Sequence, residues 1–240
     1  MIPTTATSIS LRIGFWNIHG FKSRSLGNKL KLHEVKKDIS KYDICGLAET
    51  HSDLGSNLSI EGFKCYSKHR PISKNKRHGG ISLYIKRDIS KGVKILNTNN
   101  KNVIWCKLDK SFFNLPKNIY LGTIYFSQSI YENSKGEDYI ADLEQDIVDF
   151  SMNGDIIIQG DFNARTGILQ EFIKDDDNSK IFCESLPDDY VANVADFRQS
   201  LDKTIDARGT QLIELCIVNN MRILNGRIIG DSRGKNMFSA

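Results

Sequence analysis

Six short apolar runs, each closed by Gly, Asn, Asp or Ser, constrain this chain more than any other feature. They are Leu11–Asn17, Ile44–Glu49, Gly80–Lys86, Val103–Leu108, Ile119–Tyr125 and Asp155–Gly160. Runs rich in Ile, Val, Leu and aromatics, bounded by turn formers, predict β-strands. Ile81, Leu83 and Ile85 alternate with Ser82, Tyr84 and Lys86, the period of a strand with one buried face. Ile156, Ile157 and Ile158 are continuous, so both faces of that strand are expected to be covered. Helical spacing appears three times: Leu32, Val35 and Ile39; Ile140, Leu143, Ile147 and Phe150; and Gln211–Asn219, with Leu212, Leu215 and Cys216 facing inward. Helices interspersed among strands predict a layered α/β domain. No helix separates 81–86, 103–108 and 119–125, which are expected to form an antiparallel meander.

The 240 residues include only 4 prolines and no Gly/Ser-rich linker, which predicts one domain over 1–240. A formal charge of +4, from 33 basic against 29 acidic residues, permits a polyanionic partner without selecting one. The five cysteines form no CxxC pair, so neither a disulfide framework nor a structural zinc site is expected. Cys45 and Cys106 sit inside strand runs, where cysteine acts as a small core residue. The N-terminus lacks a charged start followed by an apolar stretch, and no apolar run is long enough to span a bilayer. An intracellular protein without a membrane partner is expected. Two segments read as exposed loops. One is Lys68–His78, dense in base, which either grips phosphates or is simply solvated. The other runs from about Gly167 to Asn193 and carries Asp175, Asp176 and Asp177.

The strands end in polar groups suited to chemistry. Asn17 ends the first, Glu49 the second and Tyr125 a later one, while Asp161 and Asn163 follow Ile156–Gly160. Taken singly, each has an ordinary structural explanation as a turn cap, surface group or packing residue. Together, such ends can meet at one rim of a sheet, where α/β active sites form. Carboxylate and carboxamide oxygens suit a hard divalent cation such as Mg²⁺. In an extended Asp-x-Asn segment both side chains project to the same side. One can take a proton from water while the other holds that water in place.

The order of these motifs carries a family resemblance. Trp16-Asn17-x-x-Gly20, Leu47-x-Glu49-Thr50, Gly79-Gly80-Ile81-x-Leu83-Tyr84, Ile124-Tyr125 and Gly160-Asp161-Phe162-Asn163-Ala164-Arg165 together resemble the endonuclease/exonuclease/phosphatase superfamily over nearly the whole chain. Further segments are similar to the endonuclease domain of non-LTR (LINE-type) retrotransposons. They are Arg198-Gln199-Ser200-Leu201-Asp202, Gly209-Thr210-Gln211-Leu212, Leu215-Cys216 and Ile223-Leu224-Asn225-Gly226-Arg227. The resemblance implies a deoxyribonuclease-I-like sandwich of two mixed, largely antiparallel sheets flanked by helices. After Gly230-Asp231-Ser232-Arg233-Gly234 that branch would show an aromatic-threonine pair, where Asn236-Met237 stand here. It would then continue to a Ser-x-x-Asp-Tyr strand and a final Ser-Asp-His motif. The sequence stops at Ala240 with neither, so the fold is expected to lack its last strands and cutting to be impaired.

By the same resemblance, Glu49 is a direct metal ligand and Asn17 part of the metal site. Asp161 activates the attacking water, Asn163 orients it, and Tyr125 stabilises the transition state on the phosphate side. Arg77, His78 and Arg165 are candidates for holding substrate. The cofactor would be Mg²⁺, with Mn²⁺ as the alternative. The partner would be DNA, with a reverse transcriptase domain in a longer parent polypeptide, and the nucleus is compatible with that role. His19 stands where abasic-site endonucleases carry an Asp, which weighs against a repair enzyme. Gln159 and Ala164 lack the aromatics of inositol phosphatases. Two other functions stay open: a retroelement-derived fragment that binds nucleic acid or a partner without cutting, and a phosphatase of small or lipid phosphates.

Overall fold

The computed structural model describes residues 10–23, 25–70, 79–128, 139–172 and 197–227. Its strands are β1 (Ile13–Asn17), β2 (Lys22–Ser23), β3 (Gly27–Asn28), β4 (Ile44–Ala48), β5 (Phe63–Lys68), β6 (Ile81–Lys86), β7 (Val93–Leu96), β8 (Val103–Leu108), β9 (Asn118–Tyr125) and β10 (Gly154–Asp161). The helices are α1 (His33–Ser40), the short α2 (Lys110–Phe113), α3 (Tyr139–Ser151) and α4 (Ala207–Val218). Two compact units result, Met1–Tyr139 with Gln145–Phe162, and Ile140–Glu144 with Asn163–Ala240.

The first unit is a two-sheet sandwich. One sheet has the order β1-β4-β6-β5 and the other β10-β9-β8-β7. Each is mixed: β1 runs parallel to β4 and β10 parallel to β9, while the other pairs within the two sheets are antiparallel. Alternation sorts the side chains. Ile44, Ala48, Ile81, Leu83 and Ile85 of one sheet share a core with Ile104, Cys106, Leu108, Leu121 and Tyr125 of the other. The intervening Cys45, Leu47 and Tyr84 face outward, where Val35 and Ile39 of α1 cover them together with Ile18 and Phe21. On the outer face of the second sheet, Phe150 of α3 stacks on Tyr120 at 5.0 Å and meets Trp105 edge-on at 5.1 Å. The Trp105 indole N–H donates to Asp146 at 2.8 Å. Cys45 and Cys106 are core residues, and burial pushes both thiols up to about 12.

Two expectations are corrected, and two strands of the sandwich were not foreseen. The strands 81–86, 103–108 and 119–125 do not form one meander. β6 joins β4 and β5 in the first sheet, and the unforeseen β7 starts the second. Neither β5 nor β7 has a clean apolar alternation, because each lies at a sheet edge with one half-exposed side. β10 is likewise an edge strand among the described residues, and Ile157 is left 37% exposed rather than covered.

In the second unit, α4 begins earlier than its apolar spacing suggests, because Asp206 caps it by accepting the Gly209 N–H at 2.7 Å. Ile213 is buried with Leu215, Cys216 and Ile217, while Leu212 is half-buried. Glu171 is fully buried and accepts from the Ile223 N–H at 3.0 Å and from the Arg227 guanidinium. Arg198 donates to the carbonyls of Gly167 and Leu169. Among the described residues, no helix is long and apolar enough to cross a membrane.

Candidate active site

The two parallel strand pairs place the candidate residues at their carboxyl ends. In the first sheet Asn17 is in register with Ala48, so Glu49 follows one residue beyond that pair. In the second sheet Asp161 is in register with Tyr125. These four residues converge. The Asn17 carboxamide nitrogen donates to Glu49 Oε1 at 2.9 Å and to Asp161 Oδ2 at 2.9 Å. The Tyr125 hydroxyl donates to the same Glu49 Oε1 at 3.2 Å. Asn17 Oδ1 accepts the His19 N–H at 3.1 Å, so here its amide face, not its oxygen, meets the carboxylates.

Histidines surround the other Glu49 oxygen. His19 Nδ1 lies 3.0 Å from Oε2 and His51 Nε2 lies 3.9 Å from it. A carboxylate can only accept, so His19 carries its proton on Nδ1. Burial opposes ionisation of Glu49, but the Asn17 amide, the His19 ring and the Tyr125 hydroxyl outweigh it and hold the carboxyl below its usual range. Burial, and then the Glu49 charge, push the Tyr125 phenol well above its usual range, so it stays a neutral donor at ordinary pH. Asp161 is 6% exposed.

The local backbone is strained to achieve this. His19, Glu49 and His51 have φ of 48°, 51° and 48°, in the left-handed region. Such positions cost on the order of 1–3 kcal/mol each and persist only where surrounding contacts hold them. The holding contacts are backbone bonds: Gly20 N–H to Glu49 O at 2.6 Å, Phe21 N–H to Thr50 O at 3.0 Å, and His51 N–H to Gly79 O at 2.8 Å. The Gly79-Gly80 pair is required here, with φ of 66° and 87°. A Cβ on Gly80 would stand 2.6 Å from Thr50 Oγ1, and one on Gly79 2.7 Å from Arg70 Cδ.

Of the other expected residues, Asn163 and Arg165 belong to the second unit. Asn163 is left-handed at φ 48°, and its carbonyl accepts from Arg208 at 3.3 Å. Arg165, expected to face substrate, is committed to Asp202 through two 2.8 Å bonds. Arg77 and His78 lie outside the described residues, as do most of the acidic segment and Gly230–Ala240. Sequence reasoning missed Arg70, which half-buries itself against Tyr125, because it stands at the head of a basic run that reads as solvent-facing.

Among the described residues, no three His, Cys, Asp or Glu side chains are arranged to enclose a metal. Glu49 and Asp161 nevertheless bring two carboxylates to one amide. Such an oxygen donor set fits a hard divalent cation that keeps several of its waters.

No curated protein matches the sequence. Among solved structures, the fold is similar to the 3′ phosphatase NExo from Neisseria bound to product DNA hairpin, with 15% identity, 66% of this chain and 60% of that one covered, and a TM-score of 0.43. It is similar to the human Nocturnin catalytic domain, with 17% identity, 64% of each chain covered and a TM-score of 0.44. It is also similar to an AP endonuclease from Archaeoglobus fulgidus, with 16% identity, 65% and 59% covered and a TM-score of 0.40. The chain thus spans less than two thirds of the length of these structures. The family description matched by the sequence covers residues 14–176, from β1 through Asp161 and into the second unit. The chain belongs to the Endonuclease/Exonuclease/phosphatase family.

Proposed function

We propose that this chain is a divalent-metal-dependent DNA endonuclease of the retrotransposon type, which nicks a phosphodiester by in-line attack of water. The single observation that carries the reading is the Asn17 amide held between Glu49 and Asp161, with the Tyr125 hydroxyl on the same Glu49 oxygen. Glu49, with Asn17 beside it, would hold Mg²⁺ or Mn²⁺. Such an ion, when bound, polarises the phosphate and stabilises the leaving oxygen. Asp161 accepts the proton of the attacking water, and Asn163 orients that water. Asn17 aims both carboxylates through one amide. Tyr125, kept protonated by burial and by Glu49, donates toward a non-bridging phosphate oxygen. The segments 198–202, 209–212, 215–216 and 223–227 support the retrotransposon branch by their similarity to it. In that branch the domain works beside a reverse transcriptase in a longer polypeptide, in the nucleus.

The test is nicking of supercoiled plasmid by the purified chain with Mg²⁺ or Mn²⁺, beside the Asp161→Ala protein. Metal-dependent nicking absent from the variant supports the reading. Release of inorganic phosphate from inositol phosphates without nicking would support a phosphatase. Plasmid binding without either activity would support a non-cutting nucleic-acid binder.

A further inference from the structure

Lys68, His69 and Arg70 open the basic run, yet all three are turned into the fold. Lys68 Nζ donates to the Asn100 carbonyl at 2.7 Å. His69 Nδ1 meets Ser52 Oγ at 3.0 Å, and Ser52 meets Thr50 Oγ1 at 3.0 Å, beside Glu49. Arg70 reaches the other side of the site. Its guanidinium donates to Ser127 Oγ at 2.7 Å, to Asn102 Oδ1 at 2.7 Å and to the Tyr125 carbonyl at 3.5 Å, and it lies 5.5 Å from the centroid of the Tyr125 ring. These partners are all neutral. A half-buried cation without a carboxylate partner among the described residues is costly to retain as a mere brace, since a neutral side chain would fill the same space without the desolvation penalty. What a guanidinium adds is a planar fork with a flat face that stacks on an aromatic ring. The fork is anchored at Asn102 and Ser127, and its central carbon lies over the Tyr125 ring. Gly79 lies against both side chains: a Cβ on it would stand 2.9 Å from Arg70 Nε and 3.2 Å from Tyr125 Cε1.

We propose that Arg70 is a positioning residue for the phosphodiesterase reaction, acting through Tyr125: it clamps the ring so that the hydroxyl stays on Glu49 and aimed at the substrate phosphate. The proposal rests on the function proposed above for this site. Arg70→Met should lower kcat roughly 10- to 100-fold with little change in KM, the scale expected of a misplaced catalytic group. Arg70→Lys should fall as far, because lysine keeps the charge but lacks the fork. On a Tyr125→Phe background, Arg70→Met should add nothing further. An additive loss, or full activity in Arg70→Lys, would overturn the proposal. A second readout needs no activity. In protein labelled with 3-fluorotyrosine, the ¹⁹F signal missing from Tyr125→Phe identifies Tyr125. That signal should be single and sharp in the parent and shifted and broadened in Arg70→Met; an unchanged signal would also overturn the clamp. If the parent chain cuts no phosphodiester under any metal, the functional reading fails, while the ¹⁹F comparison still decides whether Arg70 orders Tyr125.

Discussion

Glu49 and Asp161, which come from different sheets, accept hydrogen bonds from one and the same nitrogen, the Asn17 amide, each at 2.9 Å. That nitrogen bridges the two carboxylates. Asn17→Ala should therefore destabilise the metal-free protein by about 1–3 kcal/mol, the scale of losing hydrogen bonds to charged acceptors. Mg²⁺ or Mn²⁺ should raise the melting temperature of the parent chain by binding the folded state alone. Glu49→Gln should abolish that rise. Thermal melts with and without the ion check both outcomes.

Asp161 supplies the proposed acid–base group from the end of β10, and its backbone carbonyl also accepts the Phe126 N–H at 2.9 Å. Asp161→Asn keeps the size and the strand but removes the base. Plasmid nicking should fall about 10²–10⁴-fold. Circular dichroism and melting temperature should stay near the parent values, since the backbone bond survives.

Gly46 lies at a close approach of the two sheets. A Cβ there would stand 2.6 Å from Thr123 Cγ2 and 3.1 Å from Gln159 Nε2. Gly46→Ala should cost about 1–3 kcal/mol by overpacking. Thr123→Ser removes the offending methyl and keeps the hydroxyl that accepts from Gln159 at 3.2 Å. The double variant should recover most of the loss, a non-additivity that denaturant titration of all four proteins would show.

Asp43 gives a pH dependence. It precedes β4 and bonds Lys86 Nζ at 2.8 Å and the Arg12 N–H at 2.8 Å. Burial opposes its ionisation, but Lys86 and then Arg12 outweigh it and bring its pKa down to about 2 from the ordinary 3.8. A carboxyl lowered in the folded state contributes stability that is fully present above pH ~4 and fades as pH falls through about 2. Asp43→Asn should be less stable than the parent by about 1 kcal/mol at pH 7, allowing for screening around the exposed Arg12. The difference should close between pH 4 and pH 2 in urea melts.

Most of the sandwich was legible in the sequence because its central strands are apolar and short. Val103–Leu108 matches β8 residue for residue; β4, β6 and β9 differ from expectation by one residue at one end, and β10 by one residue at each end. β5 and β7 were missed because their half-exposed residues interrupt the apolar pattern. The sheet each strand joins was not legible either: local alternation says that a side of β6 is buried, not which strand lies beside it. At the site, Asn17, Glu49, Tyr125 and Asp161 were readable as polar ends of apolar strands. Arg70 was not, because burial of a guanidinium depends on Asn102 and Ser127, distant residues whose sequence neighbourhoods carry no signal of a partner.

The two parallel pairings, β1 with β4 and β9 with β10, have a consequence for the time course of folding. A parallel pair cannot close by a tight turn. Each joins strands separated by a helix, α1 in one case and α3 in the other. Such non-local closures form more slowly than hairpins, because the chain between them must first be ordered. Antiparallel pairs such as β5–β6 and β8–β9 can form without either closure. Asn17 and Asp161, however, stand at the tips of β1 and β10, so the carboxylate cluster is born only with the slowest pairings. In a refolding experiment, affinity for a divalent ion should therefore appear in the last kinetic phase, after most of the β-sheet signal has already returned.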